Sequence, residues 1–132
     1  MAEPRREFRP WEFSQGIKLS GTSGITQTNR GTVTQLSSTT TAVTLSKLSG
    51  TITTIAGTLA AAAEESFTVT NTLVAATDYV GVCIKSYGGA GTPFAFVSAT
   101  ADGSFQITVT NLHAANALDA LIVLNFTVIK AA

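Results

Sequence analysis

The residue types that could carry chemistry are few in this chain and stand far apart. His113 is the only histidine and Cys83 the only cysteine. A nucleophilic mechanism needs an activated side chain, a base within hydrogen-bond reach and a third group that orients the base. His113 sits in Asn-Leu-His-Ala-Ala-Asn, and Cys83 lies about thirty residues upstream inside a strand-like run. Neither motif nor spacing assembles the set, so no catalytic residue is expected and His113 is expected at a surface or interface. No pair of Cys or His has ligand spacing, and Asp78, Asp102 and Asp119 are scattered, so no metal and no cofactor is expected. Glu64-Glu65 is expected at a solvated loop end. Gly88-Gly89-Ala90-Gly91 lacks the Lys-Ser/Thr of a phosphate loop and is expected to be a flexible hairpin loop. Asn125-Phe126-Thr127 matches a glycosylation sequon, but its mid-strand position and the want of an export signal argue against modification. Cys83 has no partner for an intramolecular disulfide and is expected as a small packing residue near a subunit contact.

One constellation has chemical content of another kind. Arg5, Arg6 and Arg9 are interleaved with Phe8, Trp11 and Phe13. Guanidinium forks and flat rings are the side chains enriched at protein–protein hot spots. Glu3, Glu7 and Glu12 stand among them and neutralise the positive charge locally, which argues against a nucleic-acid tail. Pro4 and Pro10 interrupt any long helix there. Two readings follow from the residues: an arm that orders on a partner, or a tail that folds back over its own domain or is simply disordered.

The elements that must position these residues are strands. The chain has 132 residues, enough for one domain with a core of its own. Charged residues make up 12% of it, against about 25% in ordinary globular domains. The formal net charge of zero favours neither nucleic acid nor an acidic substrate. About a sixth of the residues are threonine, whose β-branch suits a pleated surface and whose hydroxyl keeps an exposed face wet without charge. The longest apolar runs, near Ala60–Ala63 and Ala120–Leu124, are too short to span a bilayer. No secretory leader precedes the arm, so synthesis in a cytoplasm, solubility and no membrane partner are expected.

Residues 1–30 are expected to form an extended arm and Gly/Ser/Thr-rich connector, and residues 31–132 a β-sandwich domain. Strands are predicted over Gly31–Leu36, Thr40–Leu48, Gly50–Ile55, Glu65–Asn71, Tyr79–Ser86, Phe94–Thr100, Ser104–Asn111 and Leu121–Lys130. Short strands at this spacing, without alternating helices, indicate an antiparallel sandwich or barrel. Asp102-Gly103 predicts a type I′ hairpin that sets Thr100 opposite Phe105, Ser98 opposite Ile107 and Phe96 opposite Val109, with the large apolar residues on one face. Val80, Val82 and Ile84 face one way in their strand, and Gly81, Cys83 and Lys85 the other. In the last strand Leu121, Val123 and Ile129 alternate with Ile122, Leu124, Phe126 and Val128, so both faces are apolar. Leu121, Val123 and Ile129 are therefore a candidate subunit interface. Thr58–Glu65 has helix-favouring composition over a length that predicts a short helix or a capping loop.

Gly31-Thr-Val-Thr-Gln, Val43-Thr-Leu-Ser-Lys-Leu-Ser-Gly-Thr-Ile-Thr-Thr, Leu59–Ala63 with Ser66-Phe-Thr-Val-Thr-Asn, and the closing Leu121-Ile-Val-Leu-Asn-Phe-Thr-Val-Ile-Lys together resemble small tailed-phage virion proteins of the capsid decoration (cement) type. The resemblance covers about Gly31 to Lys130 and leaves the arm outside it. It implies a jelly-roll-like β-sandwich of about eight strands and a homotrimer on the outer surface of the assembled head. The implied partner is the major capsid protein, and the Arg and aromatic residues of the arm make it the expected clamp on that partner. A second reading is a fibre module that binds surface glycans, with Tyr79, Tyr87 and Phe94 near the Gly-rich loop as its aromatics. A hydrolase of surface polymers is disfavoured because no acid/base pair stands out.

Overall fold

The computed structural model describes residues 21, 22 and 24–131. The arm residues Arg5, Arg6, Phe8, Arg9, Trp11 and Phe13 lie outside the described residues. Eight strands are present among the described residues: β1 (Arg30–Thr34), β2 (Val43–Thr44), β3 (Ser49–Thr53), β4 (Glu64–Thr70), β5 (Tyr79–Tyr87), β6 (Pro93–Ala101), β7 (Ser104–Asn111) and β8 (Ile122–Ile129). No helix occurs among the described residues. Each strand lies within two or three residues of a predicted one, except β2.

The strands form two four-stranded sheets, a front sheet ordered β1-β3-β8-β5 and a back sheet ordered β2-β4-β7-β6. Up to β6 every connection carries the chain from one sheet to the other, and β6–β7 is the hairpin within a sheet. A strand that leaves its sheet, traverses the other and returns points the same way as before. For this reason β1 runs parallel to β3 and β2 parallel to β4. The remaining ladders are antiparallel, so the sheets are mixed, where an antiparallel sandwich was expected.

The inner faces follow the period-2 pattern of the sequence. Ile52, Val80, Leu124, Phe126 and Val128 from the front sheet meet Phe67, Val69, Phe105, Ile107 and Val109 from the back sheet, all buried. The rings of Phe105 and Phe126, one from each sheet, pack at 5.3 Å between centroids with a 50° tilt. Burying each large apolar side chain of this kind contributes about 1.5–3 kcal/mol. Gly50 lies where this core is tightest: a Cβ there would come within 2.7 Å of both the Phe126 ring and Leu45.

Four local expectations are corrected and one choice left open by the sequence is decided, each by a tertiary contact. The strand predicted over Thr40–Leu48 contracts to Val43–Thr44. Buried Gln35 donates from Nε2 to the carbonyls of Thr39 and Thr41 at 3.0 and 2.8 Å, which curls the chain before it, and after Leu45 the chain crosses to the front sheet, where the Leu48 amide donates to Asn29. The Ala-rich segment forms a tight turn and no helix. Ala62 takes a positive φ of 56°, its amide donates to the His113 carbonyl, and Leu59 bridges Leu118. Glu64 and Glu65 open β4 instead of ending a loop, and Glu65 accepts a 2.7 Å bond from Thr39 Oγ1.

The Gly88–Gly91 loop joins the two sheets and is no hairpin. Nor is it loose: Tyr87 donates its hydroxyl to the Ala90 carbonyl, and the Asp119 carboxylate accepts the Ala90 amide at 2.7 Å. The Asp102-Gly103 turn exists, but φ is positive at Gly103 alone, the sign pattern of a type II turn and not of type I′. Contacts to the 71–76 loop hold it there. Asp102 accepts the Ala76 amide at 2.8 Å, and Gly103 exchanges backbone bonds with Val74 and Asn71.

Candidate functional site

The hairpin register decides what the surface offers. Ala101 pairs with Ser104 and Thr100 with Phe105, as the sequence predicts. One residue later the strand bulges at Ser98, and the pairs become Val97–Ile107, Phe96–Thr108, Ala95–Val109 and Phe94–Thr110. A one-residue shift exchanges the faces of a strand. Ala95 and Val97 therefore pack inward, and Phe96, expected on the core face, stands with Phe94 on the outer face of the back sheet. Their rings stack at 6.0 Å with a 30° interplanar angle, and the residues are 51% and 37% exposed.

The bulge is held by side chains. Thr108 Oγ1 donates to Ser98 Oγ at 2.8 Å, Ser98 Oγ donates to Gln106 Oε1 at 3.0 Å, and Ser66 shares a 2.7 Å bond with Thr108. This hydroxyl row crosses β4, β7 and β6 on the outer face. Below it the Leu112 amide donates to the Thr92 carbonyl, which extends the β6–β7 ladder by one pair beyond Pro93–Asn111. Strand alternation then puts the exposed Leu112 on the same face as Thr110 and Phe94.

The front sheet presents a different outer face. Thr32, Thr51, Asn125 and Cys83 form one row across β1, β3, β8 and β5. Arg30 donates to Thr51 Oγ1 at 3.2 Å, and Thr51 donates to Asn125 Oδ1 at 2.9 Å. Two shallow grooves of about 360 and 270 Å³ flank β8 and share Asn125, Phe126 and Thr127. Tyr79 and Ile129 pair at one end of this sheet and are 64% and 60% exposed. The Tyr79 ring lies beside Gly81, where a Cβ would meet it at 3.2–3.5 Å. Cys83 is exposed, opposite Asn125.

The residues predicted as a subunit interface are only partly brought together. Leu121 precedes β8 and Ile129 ends it, so the two stand at opposite ends of the strand, with Val123, Asn125 and Thr127 between them on the outer face. Leu121 and Ile129 are exposed and Val123 half-buried. The three aromatics of the glycan reading also separate. Tyr79 is on the front sheet, Phe94 on the back sheet, and Tyr87 is half-buried with its hydroxyl receiving the Asp119 amide at 3.0 Å. Tyr87 shapes the loop instead of facing a ligand.

Two polar groups act structurally. His113 Nδ1 accepts the amides of Ala115 and Asn116 at 3.1 and 2.8 Å, which folds the 113–116 turn around the imidazole. Asp78, just before β5, binds Lys130, the Ala75 amide at 2.8 Å and the Ala131 amide at 3.0 Å. The Lys130 ammonium foremost, helped by these amides and opposed by burial, lowers the Asp78 carboxyl to a pKa of about 2.

Sequence reasoning missed Phe96 and Leu112 as surface residues. Phe94-Ala95-Phe96-Val97 alternates cleanly for either facing, and the bulge that chooses between them depends on hydroxyls of another strand. No family model, no curated protein and no solved structure matches the chain.

Proposed function

We propose that this chain is a non-enzymatic structural subunit of a phage particle. In this reading it is a decoration (cement) protein that binds the outer surface of the assembled head, next to the major capsid protein, and stabilises contacts there. The observation that carries the reading is the placement of exposed apolar side chains on two opposite faces of one small sandwich, Tyr79 with Ile129 in front and Phe94 with Phe96 behind. A subunit of a shell needs more than one contact, and patches of this kind mark protein interfaces. The sequence resemblance supports the same class. The strand order β3-β8-β5 over β4-β7-β6, with pairs β3–β8 and β4–β7 nested around β5 and β6, supports a jelly-roll-like roll at the centre of the fold.

The arm, with Arg5, Arg6, Phe8, Arg9, Trp11 and Phe13, is the proposed clamp on the capsid, and a homotrimer the proposed assembly. Binding only to the assembled shell stabilises it by mass action, with no need of catalysis. Electron microscopy of the particle tests the assignment. Density for this chain on the head exterior is the expected result, and a location on the tail would refute it. Removal of residues 1–13 is expected to leave a folded domain that no longer binds heads, and full occupancy by the truncated chain would rule out the arm as anchor.

A second reading has one observation in its favour. The exposed Tyr79 ring borders a groove lined by Asn125 and Thr127, which joins a flat aromatic to an amide and a hydroxyl, the groups that bind sugars in a fibre module. Binding to a neutral glycan array that disappears in Tyr79→Ala would favour it.

A further inference from the structure

The two sheets end in four edge strands; three of them are guarded by a charge or by shortness, and the fourth, β6, only by Pro93 at its first residue. β1 bears Arg30, β2 has only two residues, and β5 bears Lys85 at its bulge. β6 is nine residues long and has no charge at all. Its bulge works the opposite way from the usual one, because it turns two phenyl rings toward solvent. The closed hydrogen-bond set of Thr108, Ser98 and Gln106 holds that arrangement in place.

The chemistry around the rings points to one kind of partner. The strand residues that share this face with the aromatics are Thr44, Ser66, Thr68, Thr70, Ser104, Gln106, Thr110 and the buried Thr108, and Glu64 is the one charged side chain among them. A surface that meets its own copy brings identical groups into the same contact, where like charges repel. A hydroxyl both donates and accepts, so a row of Ser and Thr is complementary to itself in a way that Lys or Glu rows are not. A foreign partner would place no such restriction on charge.

We infer that the face built by Phe94, Phe96 and Leu112 is where copies of this chain associate with one another. The inference rests on reading the chain as a self-assembling particle subunit. It moves the self-contact from the β8 residues Leu121, Val123 and Ile129 to the back sheet, and leaves the front face and the arm for other partners. Three strands of eight or so residues span roughly 14 by 27 Å at ordinary strand spacing, on the order of 400 Å². That is about half of the ~800 Å² each partner gives to a standard interface, so the association is reversible and depends on concentration.

Sedimentation velocity on the full chain tests this, from about 1 to about 300 µM, the range in which contacts of this size dissociate. The weight-average mass of the wild type is expected to rise above the 13.6 kDa monomer with concentration. Phe94→Ser with Phe96→Ser is expected to stay at monomer mass throughout, with circular dichroism like the wild type. Thr68→Glu, which leaves the aromatics intact and adds to the negative charge of Glu64 on the same face so that like charges meet, is expected to weaken association at least about tenfold. Ile129→Ser is expected to associate as the wild type does. The inference is overturned by a wild type that remains monomeric over the whole range, by variants of the back face that associate normally, or by loss of association in Ile129→Ser alone. Head binding is scored separately with the same variants. A chain that self-associates through this face yet binds no head would refute the decoration reading and leave the self-contact standing.

Discussion

β5 and β6 make an informative pair. Both are nine-residue edge strands, they are consecutive in the chain, and each carries a single bulge. In β5 the bulge falls at Lys85, and the outer face that results shows Cys83, Lys85 and Ser86. In β6 it falls at Ser98, and the outer face shows Phe94 and Phe96. The same backbone device therefore makes one edge repellent and the other adhesive. What differs is the side chain at the extra position and its partners. Lys85 has solvent around it, whereas Ser98 is bonded to Thr108 and Gln106 of the neighbouring strand. A bulge does not protect an edge by itself; the residues it turns outward decide.

The largest expected effect comes from removing the β6 bulge. Deletion of Ser98 closes the bulge with every pair of the ladder kept, so Phe94 and Phe96 stay on the outer face, while the Thr108 hydroxyl loses its acceptor and Gln106 its donor. Leaving the buried Thr108 hydroxyl without its acceptor costs about 1–3 kcal/mol, and straightening the strand adds to it, so a large fall in the urea midpoint is expected. Deletion of Lys85 likewise keeps every pair of β5 with β8, breaks no side-chain hydrogen bond among the described residues, and is expected to cost clearly less. Equal costs would show that the two bulges are equivalent after all.

Next comes the anchor at the start of β6. Buried Asn111 accepts the amides of Thr92 and His113 at 3.2 and 3.1 Å, and donates to the carbonyls of Ala60 and Asn116 at 3.1 and 2.8 Å. Asn111→Ala leaves several buried groups unpartnered, a loss of about 2–3 kcal/mol in chemical denaturation. Amide exchange is expected to rise in 112–118 and at Thr92 and to stay low along β5. An increase confined to β5 would contradict this assignment.

The anchor at the start of β5 is electrostatic and titrates. The pKa of Asp78 is about 2, held below the ordinary carboxylate value chiefly by Lys130, so its contribution is present above the unfolded value near 4. The contribution is lost as pH falls from about 4 through about 2. Asp78→Asn is thus expected to melt below the wild type at pH 7, with the gap narrowing as both approach about pH 2. A gap independent of pH would assign the stabilisation to packing.

The smallest effect belongs to Lys85. Lys85→Thr is expected to change stability by no more than about 0.5 kcal/mol, yet to increase light scattering on prolonged incubation as the β5 edge loses its charge. No change in scattering would mean that the bulge alone protects this edge.

Much of this molecule could be read from its residues. The all-β class, the positions of seven strands, the inward parity of Val80, Val82 and Ile84, and the Asp102-Gly103 turn all follow from local rules: period-2 alternation, β-branched composition and glycine at a turn. Those rules act between neighbours in the chain. The surface was harder, because Phe94-Ala95-Phe96-Val97 satisfies alternation in either facing and Leu121 and Ile129 look equivalent along one strand. The choice lay with contacts between residues distant in sequence: Ser98 with Thr108, Asp102 with Ala76, Tyr87 with Asp119. The parallel pairs were likewise beyond local rules, since strand direction follows from how often the chain changes sheets. Local patterning thus sets which residues become strands and which of them can fill a core. Tertiary structure alone decided which phenylalanines face water, because a single inserted residue, bonded across the sheet, reverses every side chain beyond it.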